Sequence, residues 1–590
     1  MRGKYPWFNE YKILGIKNSL YPYPEKPVYD ILIKSSSKYP KNGVIDKGIK
    51  YNYPIIKEYS NRFANALLDI GFVKNNLIAT ILPISIEFII ADYAISQAGL
   101  IHVPLSEIEP IEGIEKKIKK CNPDGIICSN YYYKNLQDIV RKYSFKHIII
   151  DKYFNCGNEK VIFMDKLINN YNVIEKYIEI NPRSDIETLL YTGGTTGELK
   201  GCMLSHYNIY SNVIQICNIY GKAPLLLMKG AIAVLVGIPF FHSYGHIVMH
   251  SMMLLGFDII LVNDPRDVDY MAKMIKIYRP VLQFGVPTQY LKIVNENVNT
   301  SGIIGISGSA PLPTETQAFA DVKGFGIMEG YGLSEMSPVT HFNVSFLYRI
   351  LGGKRIVYLI NLSTKFSFIY ILLNKIIRLF GTKTFGKIFT SILGFMIKVS
   401  KRFKSLSKNE RRKTIGIPLP DVEVKFRDTN GKEVSTCEIL KGSRAEMFLN
   451  GPQRMLGYYP DVGSGVEKDG FVKTGDVVEI DDNGYFYVVD RVKDMINVSG
   501  FKVYSLEVDR ILYQLDEVEI AATVGIPDKE RKGSERVIVF IKLKDGKHLD
   551  EKSVLNYLTR NLPKYAIPKK IYFVNEMPMT LIQKTDKKKL

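Results

Sequence analysis

Residues Leu189 to Gly201 have the sequence LLYTGGTTGELKG, with three glycines and three threonines within six positions. Glycine lets the backbone approach a ligand closely and adopt positive φ. Successive N–H groups can then point inward as a nest for phosphate oxygens. The hydroxyls and the following lysine add donors and positive charge, so the stretch predicts an anion-binding loop. The alternative is a glycine-rich hairpin, and the common nucleotide-loop spacing GxxxxGK[ST] does not fit this stretch.

The size and composition of the chain indicate a multidomain globular protein. At 590 residues with 46% hydrophobic residues, two or more domains are expected. The six cysteines show no CxxC pair and no metal-ligand spacing, and MRGKYPWFNEYK does not have the pattern of a secretory leader. We therefore expect reduced thiols and a cytoplasmic protein.

The positive charge is concentrated in one segment. Of the formal net charge of +19, residues 345–413 carry +15, with sixteen lysines and arginines against one acid, Glu410. The other 521 residues therefore carry about +4. Strong basicity can indicate a nucleic acid or an anionic membrane as partner. Because the charge is local and the sequence has no zinc-finger or RNP-type motif, we expect no nucleic-acid partner.

The first 340 residues alternate helical and strand-like patterns. Ile56 to Gly71 has helical periodicity, Leu77 to Ile84 is a short apolar strand, and a helix through FIIADYAISQAG follows. The runs DGIICS, KHIIID, AIAVLVGI and DIILV are typical of buried parallel strands. The alternation predicts α/β layers. Further strands are predicted at GIPLPDVEVKFRD and RAEMFLNGP, and a smaller unit from Met495 combines the helix SLEVDRILYQL with strands AATVGIP and RVIVFIKLK.

One long apolar stretch needs its own interpretation. Residues 230–257 contain no Asp, Glu, Lys or Arg, but Pro239, His242, His246 and His250 interrupt them. We interpret the stretch as a buried strand, a polar turn and a helix rather than as a membrane span.

Several motifs occur in a fixed order along the chain. After the glycine-rich loop come PFFHSYG at 239–245, SGSAP at 307–311, EGYGLSE at 329–335, KTGD at 473–476, DRVKD at 490–494, VSGFKVYSLEVD at 498–509 and TLIQKTDKKKL at 580–590. Together they resemble the adenylate-forming superfamily of acyl-CoA synthetases, adenylation domains and luciferases. The resemblance covers nearly the whole chain apart from the basic segment.

The resemblance implies a domain organisation. The family fold is α/β, with a large N-terminal domain of layered subdomains, mostly parallel sheets plus a small β-rich subdomain, and a small mobile α+β C-terminal domain. Here it implies an AMP-binding N-terminal domain at 1–490 with the basic helical insertion at 345–413, a hinge at 491–494, and a C-terminal lid domain at 495–590.

The resemblance also implies roles around ATP, Mg²⁺ and CoA. The phosphate loop would hold the β and γ phosphates, Tyr331 would stack on adenine beside Gly332, and Ser334 would contact the α-phosphate. Glu335 would support Mg²⁺, consistent with a carboxylate as a hard oxygen ligand. The implied phosphate-loop residues are Thr192, Gly193, Gly194, Thr195, Thr196, Gly197 and Lys200; Leu199 replaces the usual proline.

The remaining roles concern adenine, ribose, CoA and catalysis. Ser309 and Ala310 would lie along adenine, and Asp476 and Arg491 would bind ribose. The implied catalytic residues are Lys584, Glu335, Thr196 and Ser334; His242 would border the acyl pocket, Lys493 would be the hinge residue, and Ser499, Gly500 and Phe501 would accept the pantetheine arm. Two family positions differ, since Asp490 and Gln583 replace glycines. From the residues alone, the charged side chains are equally consistent with solvated surface groups.

The implied reaction is activation of a carboxylic acid as acyl-AMP, followed by transfer to CoA. The SGFKVY pattern and the apolar run near His242 favour a medium- or long-chain fatty acid. In amino-acid adenylation domains an aspartate meets the substrate amine, and no acid is present at PFFHSYG. Acetate-specific members of the family usually close the pocket with a tryptophan, and the only tryptophan here is Trp7. The alternatives are an aryl acid, a carrier protein as acceptor in place of CoA, and a non-catalytic membrane lipid carrier that has kept the fold.

The basic segment predicts two helices, at 366–380 and 385–403. In the second, the polar residues lean to one side and the apolar residues spread over the other. The polar residues are Lys387, Ser391, Lys398, Lys401 and Arg402, and the apolar residues are Ile388, Phe389, Ile392, Leu393, Met396 and Ile397. Such a pattern is typical of a helix in a membrane interface. Lysines and an arginine in the first helix argue against a transmembrane span. We expect peripheral contact with an anionic membrane on its inner face; the alternative is a helical hairpin packed on the protein's own surface.

Overall fold

The computed structural model describes the chain except for residues 1–4, 155–160, 174–177, 194–198, 220–225, 309–313, 346–347, 349–350, 400–413, 429, 529, 532 and 580–584. In chain order, the strands are β1 Gly43–Asp46, β2 Ile49–Asn52, β3 Leu77–Ile81, β4 Ile101–Pro104, β5 Gly125–Cys128, β6 His147–Ile150, β7 Val161–Phe163, β8 Ile186–Gly193, β9 Leu199–Ser205, β10 Ala233–Val236, β11 Asp258–Leu261, β12 Leu282–Gly285, β13 Ile304–Ser307, β14 Gly326–Gly332, β15 Val339–Phe342, β16 Ile417–Pro418, β17 Glu423–Arg427, β18 Glu433–Val434, β19 Ala445–Asn450, β20 Gly457–Tyr458, β21 Asp461–Val462, β22 Val472–Ile480, β23 Phe486–Arg491, β24 Ile496–Val498, β25 Phe501–Val503, β26 Val518–Pro527, β27 Glu535–Leu543 and β28 Lys570–Phe573.

The α-helices that the structure describes lie mostly between and outside these strands. They are α1 Phe8–Leu14, α2 Asp30–Lys38, α3 Tyr53–Asp69, α4 Ile86–Gln97, α5 Ile111–Cys121, α6 Gln137–Lys142, α7 Met164–Asn170, α8 His206–Asn218, α9 Ser243–Leu254, α10 Val268–Tyr278, α11 Pro287–Asn295, α12 Thr314–Val322, α13 Lys354–Ser363, α14 Ser367–Leu379, α15 Gly381–Val399, α16 Thr436–Leu440, α17 Ser505–Leu512 and α18 Glu551–Asn561.

Two nine-stranded sheets dominate the part of the chain before residue 490. Their orders are β21-β20-β9-β8-β4-β3-β5-β6-β7 and β16-β15-β14-β13-β12-β10-β11-β1-β2. The pairs from β8 to β7 and from β14 to β1 are parallel. Their apolar runs are buried because helices cover parallel sheets on both faces. The predicted parallel strands and layered α/β class are confirmed.

The sheets share one hydrophobic core. A single cluster contains Ile78 and Leu190 from the first sheet and Val234 and Ile259 from the second. Helices α4 and α9 belong to it and are buried along almost their whole length. A helix that is apolar on all sides is typical of such an interior position. The interpretation of residues 230–257 as strand, turn and helix is therefore confirmed.

A smaller antiparallel sheet and a C-terminal unit complete the fold. The sheet has the order β18-β17-β19-β22-β23. Beyond it, α17 and α18 pack on the three strands β26, β27 and β28 around a separate cluster that includes Val508, Leu512, Val539 and Leu558. The helix and strands predicted after Met495 are confirmed. The exact boundaries at 490 and 495, and the hinge between them, stay predictions.

The basic insertion forms α13, α14 and α15. The predicted helices at 366–380 and 385–403 are confirmed by α14 and, as far as Val399, by α15, whereas α13 was not predicted. The predicted face of the second helix was partly wrong, because Leu393 and Ile397 are buried against the protein while Ile388, Ile392 and Phe395 are exposed. Close backbone packing explains the difference. A Cβ at Gly302 would lie 1.8 Å from the carbonyl oxygen of Thr390, so only glycine fits under α15 there. Lys401 and Arg402 lie outside the described residues.

The insertion leaves and re-enters the fold at one place. It follows β15 and precedes β16, and these two strands pair antiparallel, with His341 opposite Pro418 and Phe342 opposite Ile417.

Candidate functional site

The glycine-rich stretch connects two strands that pair antiparallel. Strands β8 and β9 pair with Thr192 opposite Lys200 and Gly193 opposite Leu199. Gly194, Thr195, Thr196 and Gly197 lie outside the described residues. The antiparallel pairing of the flanking strands is compatible with both the anion-binding loop and the alternative hairpin, and phosphate binding by the loop stays a prediction. The Lys200 ammonium lies 5.0 Å from the centre of the Tyr458 ring, a cation–π distance.

Tyr458 connects the hairpin to the segment after β14. Its hydroxyl donates to Oε1 of Glu335 at 2.8 Å. Burial, with the Glu335 carboxylate next in importance, raises the pKa of Tyr458 well above its usual range. The tyrosine therefore stays a neutral donor that orients the carboxylate. Sequence reasoning missed Tyr458 because it comes from β20, more than 250 residues beyond the loop, and GPQRMLGYY gave no chemical signal.

Ser334 and Glu335 lie in a short 3₁₀ turn, Ser334–Met336, at the end of β14. The Ser334 hydroxyl is 3.1 Å from that of Ser243, the first residue of α9. Gly332 is required just before the turn, because a Cβ there would lie 2.0 Å from the carbonyl oxygen of Pro338. The turn thus brings β14, α9 and β20 together.

Asp476 is the centre of a second group. Its Oδ2 accepts a 2.5 Å hydrogen bond from the Tyr331 hydroxyl, and its Oδ1 accepts from Nε of Arg491 at 3.1 Å. Asp476 and Arg491 are directly opposed on β22 and β23. Burial and Asp476 raise the pKa of Tyr331, and Asp476 raises that of Arg491 despite burial. The three predicted nucleotide residues are therefore brought together, with a fixed guanidinium and a neutral phenol.

His242 precedes α9 as its N-cap. Its Nδ1 accepts from the backbone N–H of Tyr244 at 3.2 Å. The Tyr244 hydroxyl in turn donates to the carbonyl oxygen of Ile306 at 2.7 Å, which ties α9 to β13. Ser309 and Ala310, predicted along the adenine, follow β13 and lie outside the described residues. The structure thus gives His242 a capping role; its predicted place beside the acyl pocket stays a prediction.

The predicted CoA residues form the tip of the β24–β25 hairpin. Ser499 and Gly500 have φ of 51° and 90°, and the Ser499 hydroxyl accepts from Arg531 at 3.2 Å. Phe501 is 58% exposed, and its ring stacks on Tyr565 with centroids 4.9 Å apart. The tip is therefore an accessible turn with an aromatic surface. Lys493 is exposed in the turn Val492–Asp494.

The C-terminal segment is anchored by a different lysine from the one predicted to be catalytic. Lys584 lies outside the described residues, just before Thr585, which pairs with Met579. Lys587 donates to the Ser505 hydroxyl at 2.9 Å and to Oδ2 of Asp509 at 3.1 Å. Burial opposes its charge, but Asp509 and Asp490 outweigh burial and raise the pKa of Lys587. Lys587 is therefore a structural cation.

Two known protein-family domains match the chain. The AMP-binding enzyme family matches residues 32–355, more than half of the chain, and the AMP-binding enzyme C-terminal domain matches residues 507–584. The chain belongs to the AMP-binding enzyme family. The resemblance stated from the motifs is confirmed.

Two curated relatives align with almost the whole chain. The long-chain-fatty-acid–CoA ligase of Bacillus subtilis (strain 168) is 28% identical, covering 100% of this chain and 98% of that protein. The protein of the same name from Escherichia coli O157:H7 is 25% identical, covering 99% and 97%.

Solved structures show the family fold. The crystal structure of ATP-bound MatB from Rhodopseudomonas palustris aligns with a TM-score of 0.73 at 22% identity, covering 95% of this chain and 98% of that one. The anthranilate CoA ligase AuaEII in complex with anthranoyl-AMP aligns with a TM-score of 0.75 at 18% identity, covering 97% and 98%.

Proposed function

We propose that this AMP-binding enzyme activates a fatty acid with ATP and transfers the acyl group to CoA, giving acyl-CoA, AMP and pyrophosphate. The observation that carries the proposal is the short segment 331–335, which presents Tyr331 to Asp476 at one end and Glu335 to Tyr458 at the other. The names of the two curated relatives, which match the chain along its length, support a long-chain fatty acid as the substrate class.

The nucleotide end of the site suits adenosine. A carboxylate offers about four lone-pair positions, so Asp476 can accept from ribose hydroxyls while Tyr331 and Arg491 hold its orientation. The Tyr331 ring lies beside it as a surface on which adenine can stack. We assign ribose binding to Asp476 and Arg491, and adenine stacking to Tyr331.

The phosphate end suits a metal-bound triphosphate. Glu335 offers a hard oxygen ligand, and Tyr458 fixes the direction of its carboxylate, so the residues present fit Mg²⁺. When bound, Mg²⁺ would neutralise charge on the phosphate oxygens. The chain itself would supply the Lys200 ammonium, the Ser334 hydroxyl, the Thr196 hydroxyl and the Lys584 ammonium around the α-phosphorus. Such preorganised donors act where negative charge develops in the transition state.

The reaction proceeds in two transfers. An oxygen of the fatty-acid carboxylate attacks the α-phosphorus, and pyrophosphate leaves with the bonding electrons. The thiolate of CoA then attacks the acyl carbonyl carbon, and AMP leaves. We assign contact with CoA to the exposed tip at Ser499, Gly500 and Phe501, and assign Lys493 to the hinge that brings this tip to the site.

An assay of AMP formation tests the proposal. The intact protein is supplied with ATP, Mg²⁺ and a panel of short-, medium- and long-chain fatty acids, an aryl acid and an amino acid, with and without CoA. We expect AMP formation with medium- or long-chain acids, and continued turnover only with CoA. Preference for the aryl acid would select the aryl-acid alternative, and AMP formation that CoA does not sustain beyond one turnover would favour a carrier protein as the acceptor. AMP formation with none of the acids would support the non-catalytic carrier.

A pair of matched variants links that activity to the site. Glu335→Gln removes the charge of the proposed metal ligand, and we expect AMP formation to fall at least about tenfold, the effect of roughly 1.4 kcal/mol of lost transition-state stabilisation. The control Glu576→Gln changes an exposed glutamate outside the site, in the C-terminal unit, and should leave the rate of AMP formation unchanged.

We further propose that the insertion α13–α15 places this enzyme on the inner, cytoplasmic face of an anionic membrane. None of the α14 residues is buried. Phe368 is 67% exposed, Leu372 57% and Leu379 86%. Soluble proteins rarely leave a continuous apolar face of this kind uncovered, so a large one marks an interaction site.

The opposite face of α14 holds the helix on the protein. Asn374 donates to the carbonyl oxygens of Leu227 and Lys229 at 2.8 and 2.9 Å, and the Arg378 guanidinium lies 5.2 Å from the centre of the Tyr39 ring. The helix is thus oriented with its apolar face outward. Since about 1 kcal/mol is gained per lysine or arginine near an anionic surface, the +15 charge of residues 345–413 favours anionic lipid.

The geometry favours peripheral contact over spanning. The continuous helical run Lys354–Leu379 is long and apolar enough to cross a membrane by length and composition, and 11% of its most apolar stretch is buried. Asn374 and Arg378 attach this run to the folded domain, so one side of it faces protein. A helix that lies in the interface satisfies both observations.

Liposome sedimentation tests the membrane contact. The triple variant Phe368→Glu, Leu372→Glu, Leu379→Glu should stay in the supernatant with phosphatidylglycerol vesicles that sediment the wild type. The control triple Ile49→Glu, Val73→Glu, Val322→Glu alters equally exposed apolar residues elsewhere and should sediment normally. Wild-type protein that remains in the supernatant with anionic vesicles at low salt would refute the contact.

A further inference from the structure

A cluster of ionisable side chains is buried in the core between the two large sheets. Asp92 lies on α4, Glu187 on β8, and His246 and His250 on α9. Each offers one ligand atom, and these four atoms lie within 4.8 Å of one another. All four side chains are almost completely inaccessible to solvent. The cluster is separate from Glu335, the proposed magnesium ligand.

The geometry of the cluster matches a four-coordinate cation site. His246 and His250 are four residues apart, so their rings project from one face of α9. Their Nε2 atoms are 3.4 Å apart, and Nε2 of His250 is 3.6 Å from Oδ2 of Asp92. In tetrahedral zinc sites with bonds of about 2.0–2.1 Å, neighbouring ligand atoms are separated by roughly 3.3 Å.

Within the part of the chain that the structure describes, three carboxylate oxygens in the cluster have no hydrogen-bond donor. They are Oδ2 of Asp92 and both oxygens of Glu187. Among the described residues, neither carboxylate has a lysine or arginine partner. Oδ1 of Asp92, in contrast, has two partners, Nδ1 of His102 at 2.7 Å and Nε2 of His246 at 2.9 Å. Buried polar atoms are nearly always satisfied, so three carboxylate oxygens without a donor at one point of an apolar core need an explanation.

Outer residues hold the cluster in position. The Tyr93 hydroxyl lies 2.8 Å from Nδ1 of His250, which leaves Nε2 of that ring facing the cluster. Nδ1 of His102 lies 2.7 Å from Oδ1 of Asp92, and the other ring nitrogen of His102 lies 2.7 Å from the Thr80 hydroxyl. Such second contacts orient the ligands of metal sites and fix their tautomers.

We propose that Asp92, Glu187, His246 and His250 bind one divalent first-row transition cation, with Zn²⁺ preferred. Two carboxylates and two neutral imidazoles balance a charge of +2, and mixed nitrogen and oxygen ligands suit zinc better than calcium or magnesium. Four protein ligands without solvent access make a closed structural site. The cation links α4, α9 and β8; β8 leads into the glycine-rich loop, and α9 begins at the proposed acyl pocket.

Metal analysis of the full chain tests this assignment. The protein is produced with added zinc, purified without a metal-affinity column and dialysed against EDTA, and its metal content is measured by mass spectrometry. We expect about one zinc per chain. Replacement by Co²⁺ should give the intense visible absorption bands of tetrahedral cobalt. Loss of zinc should lower the Tm of the protein, whether or not the fatty-acid assay shows activity.

Variants locate the cation. His250→Ala should lose the zinc and the cobalt bands, whereas His548→Ala, at an exposed histidine, and Glu335→Gln, at the proposed magnesium ligand, should keep both. If His250→Ala does not fold, the zinc content, cobalt bands and Tm of the wild-type protein still test the proposal. Wild-type protein that has neither bound zinc nor cobalt bands, and whose Tm does not change on zinc addition, would overturn the proposal and identify the cluster as a proton-sharing network.

Discussion

At the scale of single residues, Asp476 is the most constrained group of the candidate site. Its two oxygens are held by Tyr331 and Arg491, and it is almost fully buried. We expect Asp476→Asn to raise the KM for ATP at least tenfold, because truncating one partner of a buried charge pair costs about 2–5 kcal/mol. The measurement is the ATP dependence of AMP formation. Asp482→Asn, at an exposed aspartate, should not change it; an equal KM in both variants would contradict the ribose assignment.

Substitution of two lysines near the C-terminus should cause two different defects. Lys584→Ala should reduce acyl-adenylate formation by roughly 10²–10³, the usual cost of losing a preorganised transition-state donor, while the Tm stays unchanged. Lys587→Ala should instead lower the Tm, because Asp509 would lose the cation that neutralises it. Pre-steady-state adenylate formation and thermal unfolding measure the two effects. A severe catalytic defect in Lys587→Ala with a mild one in Lys584→Ala would exchange the two roles.

The raised pKa of Asp490 predicts that the stability of the protein depends on pH. Burial raises its pKa to about 6, against the usual value near 3.8. The folded state therefore binds more protons than the unfolded state between these values, so this group's contribution to stability is present at pH 4 and is lost as pH rises to 6. The maximum loss is about 3 kcal/mol at 1.36 kcal/mol per pKa unit.

Thermal unfolding of a variant isolates that contribution. The Asp490→Asn side chain cannot ionise, so the Tm of this variant relative to wild type should rise between pH 4 and pH 7. The Tm of Asp482→Asn should instead change with pH in the same way as that of wild type. Parallel curves for Asp490→Asn would show that Asp490 stays ionised in the fold, balanced by Lys587.

At the scale of elements, the sequence predicted segments well and their faces less well. The apolar runs that became β5, β6, β10 and β11 were recognisable because parallel strands are buried on both sides. The orientation of α15 depends on Gly302 and Arg279, which contact Thr390 from about 90 and 110 residues earlier in the chain. Local periodicity carries no information on such partners, so Leu393 and Ile397 could not be told from Ile388 and Ile392.

The candidate site shows the same division. Glu335, Asp476 and Arg491 were predicted because they belong to ordered motifs. Tyr458 and Ser243 were missed because their roles arise from the meeting of β20, α9 and the turn after β14. The buried cluster was also missed, since Asp92 and Glu187 lie on segments that predict only core packing.

The turn Val492–Asp494 is the element proposed as the hinge. Lys493→Pro fixes φ at this position and restricts the preceding residue. We expect near-normal adenylate formation and slow thioester formation, measured as separate half-reactions with purified acyl-AMP for the second. Lys493→Ala removes the same charge without the restriction and should be close to wild type in both. Equal losses in both half-reactions would argue against a pivot here.

At the scale of the whole molecule, a few polar contacts hold the C-terminal unit against the antiparallel sheet. Arg444 pairs with Glu507 at 2.6 Å, and Arg510 donates to the carbonyl oxygen of Val488 at 2.6 Å. Partly exposed ion pairs contribute about 1 kcal/mol or less, so we expect the Arg444–Glu507 pair to add only modestly to the stability of this orientation.

Charge reversal tests that orientation. Arg444→Glu should increase proteolytic cleavage between residues 491 and 494 several-fold, because two like charges would then face each other. The double variant Arg444→Glu, Glu507→Arg restores an opposite pair and should return to the wild-type cleavage rate. Rapid cleavage in the double variant would show that Arg444 acts through its other contacts, the Glu479 carboxylate at 3.4 Å and the Tyr504 ring, instead.

The pairing of β15 with β16 makes the basic insertion a detachable module. Its two ends are neighbouring partners in one antiparallel ladder, so the roughly seventy residues between them close a loop without changing the strands on either side. Loop-closure entropy grows only slowly with loop length, so the length of the insertion adds little entropic cost to the pairing of β15 with β16. The packing of Leu393 and Ile397 against the host is a separate contribution. A short hairpin at this point would reconstitute the sheet edge, and the same helices transplanted onto a hairpin of an unrelated protein would test the proposed lipid contact outside its host.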